Sequence, residues 1–363
     1  MNFQMFGELS DAFGACGYEE DVLRAAKPYL SDFDVENDAM NNLYIRMPEK
    51  DPKKKTILLD AHLDECSGMI QAIEDDGSLR FRLLGNVHGM NLSAHPVIIR
   101  NRAGEYIRGI IAAKPVHFMS DEEKTHPDLS VEHMKLDVGA CSREEVEKVF
   151  GIHIGDPFVP DVRFSYDEKK DLCYGKAFDN RAGCAVVIEI MKKLLPSCHS
   201  ISVNVTAALA AQEEVGERGA TVTSQVVKPD LAIVFEGSPS DDFFFGEGQA
   251  QCRMRHGAQI RIMDRSYISN PVFISYAEKI GDKYGIKYQE AVRRGGGTNA
   301  GVISLTEKAV PVLVLGVPSR YVHSHCNFCA GEDLASTAEL AATLIRDLSE
   351  EEINHILRQD IID

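Results

Sequence analysis

Apolar and polar positions follow different periods along this chain and divide it into three stretches. In the first, Thr56-Ile57-Leu58-Leu59-Asp60-Ala61 is a nearly unbroken apolar run that ends at His62, as expected of a parallel strand buried on both faces. From about residue 67 to 166 the apolar residues fall in short alternating or β-branched runs: Leu79 to Leu84, Val97 to Ile99 and Tyr106 to Ile111, with Gly104 in a turn between the last two. Short strands broken by turn residues predict a small barrel or sandwich. Within it, Ser142-Arg143-Glu144-Glu145 spells a capping box opening a short helix that Gly151 closes, and Ser120 to His133 reads as an exposed loop.

Helix and strand periods alternate again beyond residue 167. Cys184, Val187, Ile188, Met191 and Leu195 recur at helical spacing until Pro196. Ile201, Val203, Val205 and Ala207 alternate as a strand, and Leu231 to Phe235 and Val310 to Leu315 are further apolar strands. Asn270-Pro271 starts a helix that Gly285 stops, and a last helix is expected from about Asp333 to Leu348. The predicted architecture is an α/β domain, residues 1–66 and 167–363, interrupted by a β-rich insertion at 67–166.

Composition narrows the partners more than the fold. The 363 residues carry 39 Lys+Arg against 56 Asp+Glu, a formal charge of -17, which repels a phosphate backbone and excludes nucleic acid as a natural partner. No apolar run approaches the ~18 residues that a spanning helix needs, and Met1-Asn2-Phe3-Gln4 lacks the basic flank of a signal peptide, so no membrane association and a cytoplasmic location are expected. Nine scattered cysteines, with one Cys-x-x-Cys at Cys326 and Cys329, form no disulfide framework. A zinc site of that type needs a second cysteine pair, so Cys326 and Cys329 read as idle thiols.

Metal-competent side chains gather at the predicted strand ends. His62 and Asp64 follow the first strand, Asp179 follows Leu172 to Phe178, Glu213 and Glu214 follow Ile201 to Ala211, Glu236 follows Leu231 to Phe235, and His323 lies beyond Val310 to Leu315. Open α/β sheets bind ligands outside the carboxyl ends of their strands, where residues distant in sequence converge. Singly, each has a structural alternative: His62 as a core histidine, Glu213-Glu214 as a surface turn, Asp179-Asn180 as a helix cap. Together, two histidines, two glutamates and a bridging Asp179 suit two divalent transition ions, which about 3.5–4 Å apart polarise a carbonyl and activate water. Glu213 is the candidate to accept the proton of that water. A glycosidase carboxylate pair would leave both histidines unexplained. The run Gly295 to Gly297 lacks the Lys-Ser/Thr of a phosphate cradle and reads as a substrate-facing turn, with Gly297 and Thr298 as substrate-binding candidates.

Several segments resemble the motifs of the tetrahedral aminopeptidases, a family of dinuclear-metal glutamyl and deblocking aminopeptidases, some of them labelled endoglucanases. The site segments are Ala61-His62-Leu63-Asp64-Glu65, Phe178-Asp179-Asn180-Arg181, Gln212-Glu213-Glu214-Val215-Gly216 and Arg320-Tyr321-Val322-His323-Ser324. Gly14 to Glu19, Ala113 to His117, Leu136 to Ala140 and Gly296 to Ala300 extend the likeness over nearly the whole chain. The resemblance implies a phosphorylase/hydrolase-like mixed sheet flanked by helices, with the insertion serving dimerisation and an assembly of two up to twelve subunits. It implies that His62 and His323 each bind one ion, that Asp179 bridges, that Glu214 and Glu236 complete the sites, that Glu213 is the general base and that Asp64 orients His62. The ions implied are zinc or cobalt, with manganese possible.

Two positions depart from the commonest family pattern: Glu236 and Asn299 each stand where Asp is common. The resulting expectation is a metal-dependent exopeptidase trimming the amino end of short peptides. A carboxypeptidase or amide deacylase on the same scaffold is the alternative that Glu236 favours, and a non-catalytic metal-binding assembly protein is the other.

Overall fold

A computed structural model describes every residue except 247, 308 and 359–363. An 11-stranded mixed sheet and a closed barrel of six strands make up the β structure among the described residues. Four parallel strands form the heart of the sheet, in the order Asn204–Ala210, Thr56–His62, Leu231–Pro239 and Val312–Arg320. Antiparallel strands extend both sides, among them Leu43–Arg46, Ala258–Met263 and Asn327–Ala330.

The alternation of side chains along these strands divides the core into two layers. Ile57, Leu59, Ala61, Leu209, Ile233, Phe235, Leu313 and Leu315 face the larger layer, where the helices Phe3–Asp11, Phe178–Leu194, Pro271–Tyr284 and Gly331–Asp347 pack. Leu58, Ala208, Ala232, Val234, Val312 and Val314 face a smaller layer under the helices Arg218–Val227 and Ala300–Ser304. Both faces are covered, which is why the strands read as continuous apolar runs. Parity then places Asp60 and His62 on the side of Leu58, and Glu236 on the side of Val234.

The barrel runs in the order Ser67–Ile73, Leu79–Leu84, Leu136–Asp137, Tyr106–Ile111, Pro96–Arg100 and Pro157–Pro160, and closes on itself. Ile70, Phe81, Val97, Ile99, Leu136 and Phe158 fill it. Phe13 and Ala15 pack against Val159 of the barrel, and Arg100 reaches Glu20 at 2.9 Å, so the barrel sits against the start of the chain.

Several expected boundaries shift. The strand before Asp179 ends at Gly175, and the Glu236 and His323 strands run on to Pro239 and Arg320, because Glu236 to Pro239 pair in register with Gly316 to Ser319. The polar stretch from Ser120 is not a plain loop: Ser120 and Glu123 form a reciprocal capping box on a helix at Asp121–Thr125. At Ser142 only half of the expected box forms, since Ser142 accepts from the Glu145 amide while the Glu145 carboxylate accepts from Cys141. A helix at Glu350–Ile356 follows the last expected one.

Candidate metal centre

His62 ends its strand beside Ala210 on one neighbour and, by extension of the Asp60–Val234 pairing, beside Glu236 on the other. The five expected carboxylates and the two histidines do converge there. His62 Nε2 lies 3.2 Å from Asp179 Oδ1, 3.7 Å from Glu236 Oε2 and 3.8 Å from Glu213 Oε2. The other oxygen of Asp179 is 3.3 Å from His323 Nε2, which is itself 3.8 Å from Glu214 Oε2. Asp179 thus offers one oxygen to each imidazole.

The local chain explains how Asp179 is presented. Asp179 and Asn180 leave helical geometry, and the peptide between them is cis. Asn180, not Asp179, caps the helix: its Oδ1 accepts from the Gly183 amide while its Nδ2 donates to Phe235 O at 2.6 Å. Gly237 permits this seat on the Glu236 strand, since a Cβ there would lie 2.3 Å from Phe178 O.

Asp64 has a second job besides the His62 ring. His62 Nδ1 is closer to the Asp64 carbonyl, 3.1 Å, than to its Oδ1, 3.4 Å. The Asp64 carboxylate accepts from the amides of Glu213 and Glu214 at 2.9 and 3.1 Å, and so fixes the turn that aims both glutamates. Gly297 and Thr298 lie in a turn against Ser266 and Glu217 instead of against this cluster. Asn299 supports the floor: its Nδ2 donates to Asp60 Oδ1 at 2.7 Å, two residues before His62 on the same strand face.

Burial leaves the three glutamates reluctant to ionise. It pushes Glu214 up to about 7, with Asp179 adding to the effect, and lifts Glu213 and Glu236 well above the usual range. The histidines respond to the same charge: against the downward pull of burial, Asp179 and Glu214 raise His323 to about 10, and Glu213 and Asp179 raise His62. Against burial, the two imidazoles hold Asp179 below its ordinary value.

The donor set fits a divalent cation. Glu214 Oε1 and Glu236 Oε1 are buried with no hydrogen-bond partner among the described residues. Ligand atoms of His62, Asp179 and Glu236 lie within 4.8 Å of one another, as do those of His62, Glu213 and Glu214, and those of Cys66, Glu214 and His323. Orphaned buried oxygens beside imidazole nitrogens are what a bound ion would satisfy.

The sequence reading gives no role to several contributors. Cys66 enters the Glu214–His323 group. Asn86, in the loop after the barrel strand Leu79–Leu84, offers its carbonyl to His323 Nδ1 at 2.8 Å and so directs Nε2 toward Asp179. Beneath the centre, Glu65 lies 2.5 Å from Lys176 Nζ and 3.3 Å from the fully buried Arg181. Glu65 and Arg181 belong to the site segments that carry the family resemblance, which was the available signal for them; nothing in the sequence marks Asn86.

A helix-flanked sheet that carries a buried cluster of carboxylates and histidines at its strand ends defines a metal-dependent hydrolase. The chain belongs to the M42 glutamyl aminopeptidase family, whose model matches residues 41–340. It is 28% identical over 353 residues to the glutamyl aminopeptidase of Lactococcus lactis subsp. cremoris, with 96% of each chain covered. It resembles the TET aminopeptidase of Thaumarchaeota archaeon SCGC AB-539-E09 with a TM-score of 0.92 and 30% identity, covering 98% of this chain and 99% of that one. For the TET1 peptidase of Pyrococcus horikoshii, which can assemble into a tetrahedron or a large octahedral shell, the TM-score is 0.82 and the identity 28%, covering 95% and 99% of the two chains.

Proposed function

We propose that this protein is a metal-dependent aminopeptidase that removes the N-terminal residue of short peptides. The observation that carries the reading is Asp179, with one oxygen toward His62 and one toward His323, flanked by the orphaned oxygens of Glu236 and Glu214. On this reading His62, Asp179 and Glu236 hold one divalent ion, and Asp179, Glu214 and His323 hold a second. Zinc, cobalt and manganese each suit this nitrogen and oxygen set. When bound, such ions supply Lewis acidity for the scissile carbonyl and lower the pKa of a water.

The chain's own residues do the rest. Glu213, anchored through its amide to Asp64, takes the proton of the attacking water on its carboxylate and passes it to the leaving amine. Asp64 and the Asn86 carbonyl fix the two imidazoles, and the surplus of carboxylates attracts a peptide's free ammonium group. We assign Gly297 and Thr298 to the substrate side, as the turn beside Glu217. The barrel, 67–166, is assigned to dimerisation within a homo-oligomer, and the tetrahedron and large octahedral shell of the P. horikoshii relative support a range of assembly sizes broader than two to twelve subunits. A cytoplasmic location is consistent with nine free cysteines.

The test combines a peptide library read by mass spectrometry with Glu213→Gln. The expected results are loss of single residues from the amino end and a turnover reduced ~10²- to 10⁴-fold with metal content unchanged. Trimming from the carboxyl end, or cleavage confined to N-acyl amino acids, would transfer the activity to the carboxypeptidase or deacylase alternative. Full turnover in Glu213→Gln would remove that residue from its role.

A further inference from the structure

The ligands considered so far offer nitrogen and oxygen, yet a sulfur lies among them. Cys66 sits at the join of the His62 segment and the first barrel strand, and its Sγ shares a cluster no wider than 4.8 Å with ligand atoms of Glu214 and His323. Glu214 independently points to a ligand at this spot, because its side chain is only 4% exposed and its Oε1 has no partner among the described residues. The same backbone roofs thiol and carboxylate: a Cβ on Gly85, which has a φ of +98°, would stand 2.8 Å from Cys66 Sγ and 3.1 Å from Glu214 Oε2. The next residue, Asn86, turns His323 Nε2 to the same side. Cys16 makes the contrast: its buried thiol is committed to Asp64 Oδ2 at 3.1 Å, whereas the half-buried Cys66 faces Glu214.

We propose that Cys66 is a thiolate ligand of the ion held by Glu214 and His323, and that it biases this half of the centre toward borderline-soft cations (zinc, cobalt(II), cadmium) over manganese and magnesium. The inference rests on the metal reading given above. The sulfur–metal bond forms as the thiol proton leaves to solvent, with no change of oxidation state.

The experiment loads the full-length protein with cobalt(II), measures bound metal, and records the near-ultraviolet absorption. The expected result is a sulfur-to-cobalt charge-transfer band that Cys66→Ser and Cys66→Ala both abolish and Cys16→Ala retains. In competition, the preference for cadmium over manganese should fall about 10- to 100-fold in the Cys66 variants, at least the range that losing an outer-shell partner costs. X-ray absorption of the zinc-loaded wild type needs no variant and should show a sulfur neighbour at about 2.3 Å. Stoichiometric metal without sulfur in its shell, or a band that survives both Cys66 substitutions, overturns the ligand role and leaves the centre intact. Failure of the wild type to take up any divalent ion overturns the centre and the thiol with it.

Discussion

Two clusters of buried charge grow from the same short segments, residues 62–66 and 176–181, and they are opposite in kind. In the lower one every strong group has its complement. Glu65 faces Lys176 and Arg181, Lys176 also donates to Ala12 O, and Arg181 donates to the carbonyls of Leu9, Ala12 and Leu63. In the upper one, carboxylates crowd two imidazoles, and Glu214 and Glu236 each keep an oxygen without a partner. Burial alone therefore does not mark a functional site. The lower cluster is complete and reads as structure; the upper one has more carboxylates than cationic groups to answer them and reads as a receptor for cations.

The largest expected effect breaks the complete cluster. Glu65→Ala leaves Lys176 and Arg181 buried and facing each other without their anion, and should cost about 3–5 kcal/mol of stability in denaturant titration. A loss below about 1 kcal/mol would mean that the backbone carbonyls suffice, and the contrast between the clusters would then lose its first term.

The upper cluster was the more legible in sequence, for a physical reason. Its ligands stand where apolar runs stop, and two carboxylates following an apolar strand are conspicuous at Glu213-Glu214. What the runs did not show was how far the strands continue. Glu236 lies inside its strand and not after it, because pairing with Gly316 to Ser319 carries the ladder through glycine, serine and proline positions that no propensity recommends. The Asn86 contact with His323 spans 237 residues and is made by a main-chain oxygen, so no side-chain pattern announces it. Cys66 is one of several single thiols in the sequence, and only the fold shows that it faces Glu214 and His323 under the turn at Gly85.

A smaller effect sharpens the other half of the comparison. If the upper cluster awaits cations, zinc at a hundredfold excess over its dissociation constant should raise the folding stability of metal-stripped protein by about 2.7 kcal/mol for a single site. Glu65→Ala should leave this increment nearly unchanged, because its cluster does not touch the ion. The check is a melting curve with and without zinc in both proteins; an increment lost along with Glu65 would show that the clusters act as one.

The last expected effect is the acid dependence of that increment, and its sign follows from the protons the empty cluster retains. Below about 7 Glu214 is protonated, and below about 10 so is His323, so an entering cation must displace the Glu214 proton at pH 6 but not at pH 8, beside the imidazole and Cys66 thiol protons that it displaces at both. Affinity should therefore fall as the pH falls, and fall more steeply below 7 than above it, with each displaced proton costing about 1.4 kcal/mol per pH unit. Calorimetric titration with zinc in buffers of different ionisation heat counts the protons released and separates them from the heat of coordination. A dissociation constant that stays level between pH 6 and 8 would mean that the carboxylates are already ionised and balanced by some other positive charge, and the upper cluster would then be as complete as the lower one.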